Sequence, residues 1–327
     1  MRAANRSLLA LAVGIGGSIA LSASLWAESW PQRTVKVIIP FAAGGAIDTS
    51  ARLFAEKLAG RWGQPVIIEN MPGADGIIAV KEFVRRGDNH TLLYSFAGLI
   101  TINPVLHEKL PYDPTRDLVP IATTSDNYLA IAVSAKLQVG SLGELVALAR
   151  SQPTKLNWAA PPGLPYFGFS ALVKGAGLEM VYVPYRDFNP ANIDLGEGRI
   201  HAMATALVGL LPQIQAGKVR LLSVMNKARS PAAPDVPTAA EAGYPDLSFD
   251  GVTGFYGWRD MPGELRDRIA ADVRAVAENP AIKERLTAIG IVARGSTPSE
   301  FAAAIEDQRA KVAAIARLIA FKAPNSK

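Results

Sequence analysis

The sequence predicts an α/β protein of two hinged lobes, each built on a parallel-type sheet, with the sheets joined by two crossover strands. Three observations carry this. Short β-branched runs alternate with segments whose apolar residues recur at helical spacing, the signature of βαβ units. The alternation is interrupted twice, so that a middle α/β stretch sits inside an outer one, which is the plan of a hinged binding protein. The chain has 327 residues, 49% of them hydrophobic, enough for two packed domains.

The first element is the run TVKVIIPF at 34–41, continuous and β-branched as a strand buried on both faces must be. Ala42-Ala43-Gly44-Gly45 makes a turn, and 48–58 has helical spacing. PVIIE at 65–69 and 91–94 give two more strands, with a short helix over 76–86 between them. After the proline-marked turn at 110–114, the runs VPIATT and YLAIAVS stand close together within 118–134 and mark the first crossing. The middle unit then reads helix 142–150, strand 155–159, helix 167–176, strand 180–184, helix 189–197, strand 202–204, helix 210–216 and strand 221–224. The Pro-rich stretch SPAAPDVP at 230–237 marks the second crossing. Three helices follow, beginning at Gly263, Pro280 and Pro298, the last two with Pro in the first turn. The lobes are expected at 28–125 plus 227–327 and at 126–226. No internal repeat is present.

Residues 1–27 carry Arg2 and Arg6, then an apolar run from Leu8 to Trp26, with no acid. This reads as a secretory signal cleaved after Ala27, so the mature chain is expected to leave the cytoplasm. The rival reading, an uncleaved anchor, is weakened by Gly14, Gly16 and Gly17 in a run barely approaching the ~18 residues a spanning helix needs. Cleavage lowers the net charge from +5 to +3. With basic residues interspersed among acids and no basic run, nucleic acid is not expected as a partner. No later segment is apolar enough to span a membrane, so the mature chain is not expected to be membrane-spanning.

The chain has no cysteine, which excludes disulfides, thiolate catalysis, Cys-ligated zinc and iron–sulfur clusters. His90, His107 and His201 form no ligand-spaced pair, so no metal is expected. Neither G-x-S-x-G, S-x-x-K, a P-loop lysine nor G-x-G-x-x-G occurs, so neither catalysis nor a cofactor is expected.

In open α/β sheets, ligands sit beyond the carboxyl ends of strands, so the loops after strands are the candidate site. In the Phe41–Gly45 turn, two glycines allow close backbone approach, and the unpaired N–H groups of the helix start suit an anion. A tight turn needing glycine only for its geometry fits the spacing equally well. Asp48 fits a capping role at the helix start, with Arg52 one turn on able to pair with it.

The chain resembles the Bug-type periplasmic receptors of tripartite tricarboxylate transporters over 30–325. The segments that carry the resemblance are WPQRTVKVIIPFAAGGAIDTSAR, GQPVIIENMPGADG, INPVLHEKLPYDPTRDLVPIA, VYVPYRDFNPA, QAGKVRLLSV, SPAAPDVPTAAEAGYPDL and GSTPSEFAA. The resemblance implies a Venus-flytrap fold, capture of a small carboxylate, and delivery to an ion-driven membrane permease by a monomeric receptor.

It also implies that the loop Phe41, Ala42, Ala43, Gly44, Gly45 lines the cleft, with Asp48 matching the aspartate of the family's glycine-glycine motif. The loop Ser95, Phe96, Ala97, Gly98 and Leu99 is less polar than in typical members. The loop at 158–167 departs furthest: Pro161, Pro162 and Pro165 with Leu164 and Tyr166 replace a Gly/Ser/Thr-rich stretch ending in histidine. That leaves Pro162, Gly163, Leu164 and Tyr166 as cleft candidates, with Trp158 and Phe169 as core. Arg186 agrees with a basic position of the family and could grip a distal carboxylate, while Asp187 replaces its usual glycine. Thr205 stands near a place where members often carry an acid. The pocket is therefore expected to favour an aromatic or medium-chain mono- or dicarboxylate over citrate or an amino acid. A periplasmic sensor presenting its solute to a signalling partner would use the same cleft. A non-canonical enzyme is the weaker alternative.

Overall fold

The computed structural model describes residues 30–185 and 188–321. The expected signal segment at 1–27, Arg186 and Asp187 lie outside the described residues. Eleven strands are described: β1 (Val35–Ile39), β2 (Val66–Asn70), β3 (Thr91–Phe96), β4 (Val119–Asn127), β5 (Leu129–Ser134), β6 (Asn157–Ala159), β7 (Val181–Tyr182), β8 (Ala202–Ala206), β9 (Val219–Val224), β10 (Gly251–Gly257) and β11 (Ile291–Ala293). The α-helices are α1 (Ala46–Trp62), α2 (Ile77–Arg86), α3 (Gly98–Thr101), α4 (Asn103–Leu106), α5 (Leu142–Ser151), α6 (Leu164–Gly175), α7 (Phe188–Gly196), α8 (Leu207–Gln215), α9 (Gly263–Glu278), α10 (Pro280–Ala288) and α11 (Pro298–Leu318).

The strands form two sheets, of order β11-β4-β10-β3-β1-β2 and β7-β6-β8-β5-β9. The parallel-type expectation needs correction, because both sheets are mixed. β1 pairs parallel with β2 and β3, and β6 with β7 and β8. β10 instead runs against β3 and β4, and β5 against β8 and β9. The reason lies in the connections. Parallel neighbours need a crossover, usually a helix, whereas β5 and β10 are the first strands the chain enters on passing from one sheet to the other. β4 and β5 are separated by Tyr128 alone. Each of the two enters its sheet from the side of the other sheet and so runs against its neighbours.

Alternation along the strands sends side chains to both faces of each sheet. In the first, Val37, Ile39 and Tyr94 face α1 and α9, while Ile38 and Leu93 face α2. In the second, Ile131 and Val133 pack with Trp158, Phe167 and Phe169, and Ala130 and Ala132 pack with Met203 and Leu195. The described residues of 227–321 do not pack as one unit. Phe301 and Ile305 join the first sheet's core, but Ala239, Leu247, Phe249, Val312 and Ile315 join the second sheet's cluster. α11 reaches both because its 21 residues extend ~31 Å at 1.5 Å per residue. Its start is fixed by a capping box, Thr297 with Glu300. No described helix is long and apolar enough to cross a membrane.

Candidate functional site

A cavity of about 270 Å³ lies between the two sheets. Its first-sheet wall is Phe41 at the end of β1 and Ser95, Phe96, Ala97 and Gly98 at the end of β3. α3 and α4 continue that wall with Leu99, Ile102 and Leu106. Opposite stand Pro161, Pro162, Gly163, Leu164 and Pro165, the passage from β6 into α6. Asn127 and Leu129 bracket the first crossing, Gly251 and Val252 begin β10, and Gln308 reaches in from α11. Both walls thus come from loops that leave the carboxyl ends of strands, where an open α/β sheet presents its ligand crevice.

The lining is dominated by aliphatic, aromatic and proline side chains. Asp75, at the exposed rim, is the single charged residue among the described lining residues. Three polar side chains on the wall are tied to the protein itself, whereas the buried Ser95 Oγ has no partner among the described residues. Gln308 accepts from Thr101 Oγ1 at 2.5 Å and donates to Asp250 O at 2.9 Å. Asn127 Nδ2 donates to Gly251 O and Thr253 Oγ1, and Asn103 Nδ2 to Asp75 O and Tyr112 Oη.

The glycine turn stands beside this cavity without lining it. Ala42, Ala43, Gly44 and Gly45 are exposed, and Gly44 has a φ of +86°, where a side chain would be strained. Asp48, buried at the start of α1, holds the turn from below. Its Oδ2 accepts from Gly44 N–H and Arg52 Nε, both at 2.9 Å. Its Oδ1 accepts from Asn70 Nδ2, also at 2.9 Å, and the same nitrogen donates to Phe41 O. Burial pushes the Asp48 carboxyl up, but the Arg52 guanidinium, the Gly44 N–H and the Asn70 amide together hold it below the ordinary aspartate value. Asp48 therefore acts as an anionic peg that fixes the backbone of the turn.

Of the residues singled out in the sequence, Phe41, Ser95, Phe96, Ala97, Gly98, Pro162, Gly163 and Leu164 line the cavity. Tyr166 does not. Its ring packs with those of Trp158, Tyr182 and Phe167, where Trp158 and Phe169 stack at 4.6 Å and 15°. Thr205 is buried within β8, and its neighbour Ala206 lines the cavity instead. Sequence reasoning missed Ile102, Leu106, Asn127, Leu129, Val252 and Gln308. The apolar residues at 99, 102 and 106 follow helical spacing, which could have revealed the α3–α4 wall.

A family described as "Tripartite tricarboxylate transporter family receptor" matches residues 50–321. Among relatives, Protein BugT of Bordetella pertussis (strain Tohama I) is 28% identical over 324 residues, covering 96% of this chain and 98% of its own. Among solved structures, R. palustris Rpa4515 with adipate is similar at a TM-score of 0.77 and 28% identity, over 89% of this chain and 98% of that one. MatC from Rhodopseudomonas palustris with bound malate is similar at 0.71 and 28%, over 88% and 99%. With its two mixed sheets, an interlobe crevice at their strand ends and a match over most of its length, the chain belongs to the family of receptors of tripartite tricarboxylate transporters.

Proposed function

We propose that this receptor captures a small carboxylate with an apolar body, an aromatic or medium-chain acid, and hands it to an ion-driven permease. The observation that carries the reading is the contrast between the cavity and its border: an apolar chamber with one rim charge among its described lining residues, beside an exposed turn whose backbone is pegged by Asp48. The anionic end sits at the turn and takes the main-chain N–H groups of Ala43 and Gly45, the Gly44 N–H between them being held by Asp48, and water there keeps the cost of its charge low. The apolar body enters the chamber, where each buried methylene contributes ~0.8 kcal/mol. That two relatives of this fold are solved with adipate and with malate supports the carboxylate class. The receptor works in the periplasm as a monomer after loss of its N-terminal segment. Without a catalytic or nucleotide-binding motif, it binds its solute and leaves it unchanged. Arg186 would favour a second carboxylate if it reaches the chamber.

Titration calorimetry with benzoate, hexanoate, adipate, citrate and glutamate tests this. The first three should bind, and a ligand at a hundred times its dissociation constant should stabilise the fold by ~2.7 kcal/mol. Tight binding of citrate or glutamate with no response to the apolar acids would overturn it. Uptake that depends on this protein should collapse with an ionophore.

A further inference from the structure

The turn between β2 and α2 is strained, and it holds a cavity wall. Gly73, Ala74, Asp75 and Gly76 have φ of +121°, +47°, +52° and +83°. Two of the four carry side chains, in a region L-residues avoid. Such outliers persist where the surroundings over-determine them, and they cluster at binding sites. Here the surroundings are visible. A Cβ on Gly76 would stand 2.6 Å from Leu99 Cδ2 and 3.1 Å from Pro40 Cβ, so the turn is wedged between β1's end and α3. Asp75 then ties it to both ends of α4: its main-chain oxygen accepts from Asn103 Nδ2 at 3.0 Å, and its Oδ2 pairs at 2.9 Å with Nε2 of His107, the residue that follows the helix. The carboxylate can only accept, so the ring nitrogen donates. Between these two moorings lies Leu106, and just before them Ile102, both on the chamber's wall.

We propose that Asp75 is a specificity-determining positioning residue: through His107 it latches α4 in place and so fixes the width of the chamber that selects the solute's apolar body. The inference rests on the receptor reading above for its solute, but the latch itself exists without one. Asp75 pays for a left-handed conformation that glycine would adopt freely, and what the side chain gains there is the bond to His107. A wall fixed in advance loses less freedom on binding and rejects misfits more sharply.

Three variants separate this from other roles. Asp75→Gly relaxes the backbone and cuts the latch, Asp75→Asn keeps a side-chain acceptor for His107 and loses the charge, and His107→Ala cuts the latch from the other side. In ligand-free protein, hydrogen exchange at the amides of Val105, Leu106 and His107 should speed up roughly fivefold in Asp75→Gly and in His107→Ala, the loss expected for one hydrogen bond. It should stay near wild type in Asp75→Asn. With hexanoate and octanoate as probes, the ratio of their affinities should move toward one in the two cut variants and be preserved in Asp75→Asn. Unchanged exchange in Asp75→Gly would overturn the latch. Equal gains of hexanoate affinity in the Asn and Gly variants would overturn it too, showing that the rim charge acts by repulsion alone. If neither probe binds wild type while exchange responds as stated, the latch stands and the solute assignment fails.

Discussion

The turn at 42–45 and the loop at 160–165 occupy equivalent places, each leading from a strand into a long helix, and they are built from opposite chemistry. The first is small-residued and exposed, and it is held in shape by a buried carboxylate with three donors around it. The second is stiffened by three prolines, which also remove N–H donors, and it rests on the Trp158–Phe169 stack. A polar framework keeps backbone N–H groups in contact with water, while an aromatic one keeps a wall dry. The difference teaches that one topological position can supply either the charged end or the apolar end of a site, according to what supports the loop from beneath.

Removing each support should break the comparison in its own way. The largest effect belongs to Trp158→Ala. Deleting a buried ring that stacks on Phe169 should cost about 3 to 5 kcal/mol of stability by denaturant unfolding. In whatever fraction stays folded, binding of apolar acids should weaken more than the turn's structure changes. Next comes Asp48→Ala, which should cost about 2 kcal/mol by stripping three hydrogen bonds from a buried site. Its pH dependence has a definite sign. Because the folded-state value is depressed, the stabilisation is present above the ordinary aspartate value and disappears as pH falls through the lowered one. The difference in melting temperature between wild type and Asp48→Asn should therefore shrink from pH 7 toward pH 3, and a difference that grew would refute the peg. The smallest effect is that of Leu164→Ala on binding. Trimming the wall should lower benzoate or hexanoate affinity by about 1 kcal/mol, roughly fivefold, with the turn's contribution untouched.

Much of this contrast was legible in the sequence, for local reasons. The β-branched run ahead of Gly44 and Gly45, the proline series after the 155–159 strand and the Pro-started helices at 280 and 298 are signals that a few residues carry alone. The loops after β1, β3 and β6 could be named as walls because strand ends and glycine or proline turns are local features. What escaped is what depends on distant partners. β10, with Gly251, Gly254 and Gly257 in seven residues, has a poor strand composition. Its glycines sit where a Cβ would strike Asn127 O, Ala122 O and Met261 Sδ. α3 and α4 are four residues each, so their periodicity emerges only when the apolar residues at 99, 102 and 106 are read across both. Gln308 looks like any polar residue on a helix until its helix is seen crossing the cavity. Tyr166 was a fair candidate by position, yet the aromatic rings around it claimed it for packing.

α11 also bears on how the lobes can move. The chain passes between the sheets at Tyr128 and again between β9 and β10, and two chain connections alone would leave both bending and twisting open. A straight helix seated in one core through Phe301 and Ile305 and in the other through Val312 and Ile315 is a third joint, and a stiff one. In kinematic terms it removes a degree of freedom: the lobes can separate only along the arc that keeps both ends of this rod in their sockets, or by pulling one end out. Gln308 lies between the two sockets and on the wall of the chamber, so the rod that joins the lobes is also part of the site.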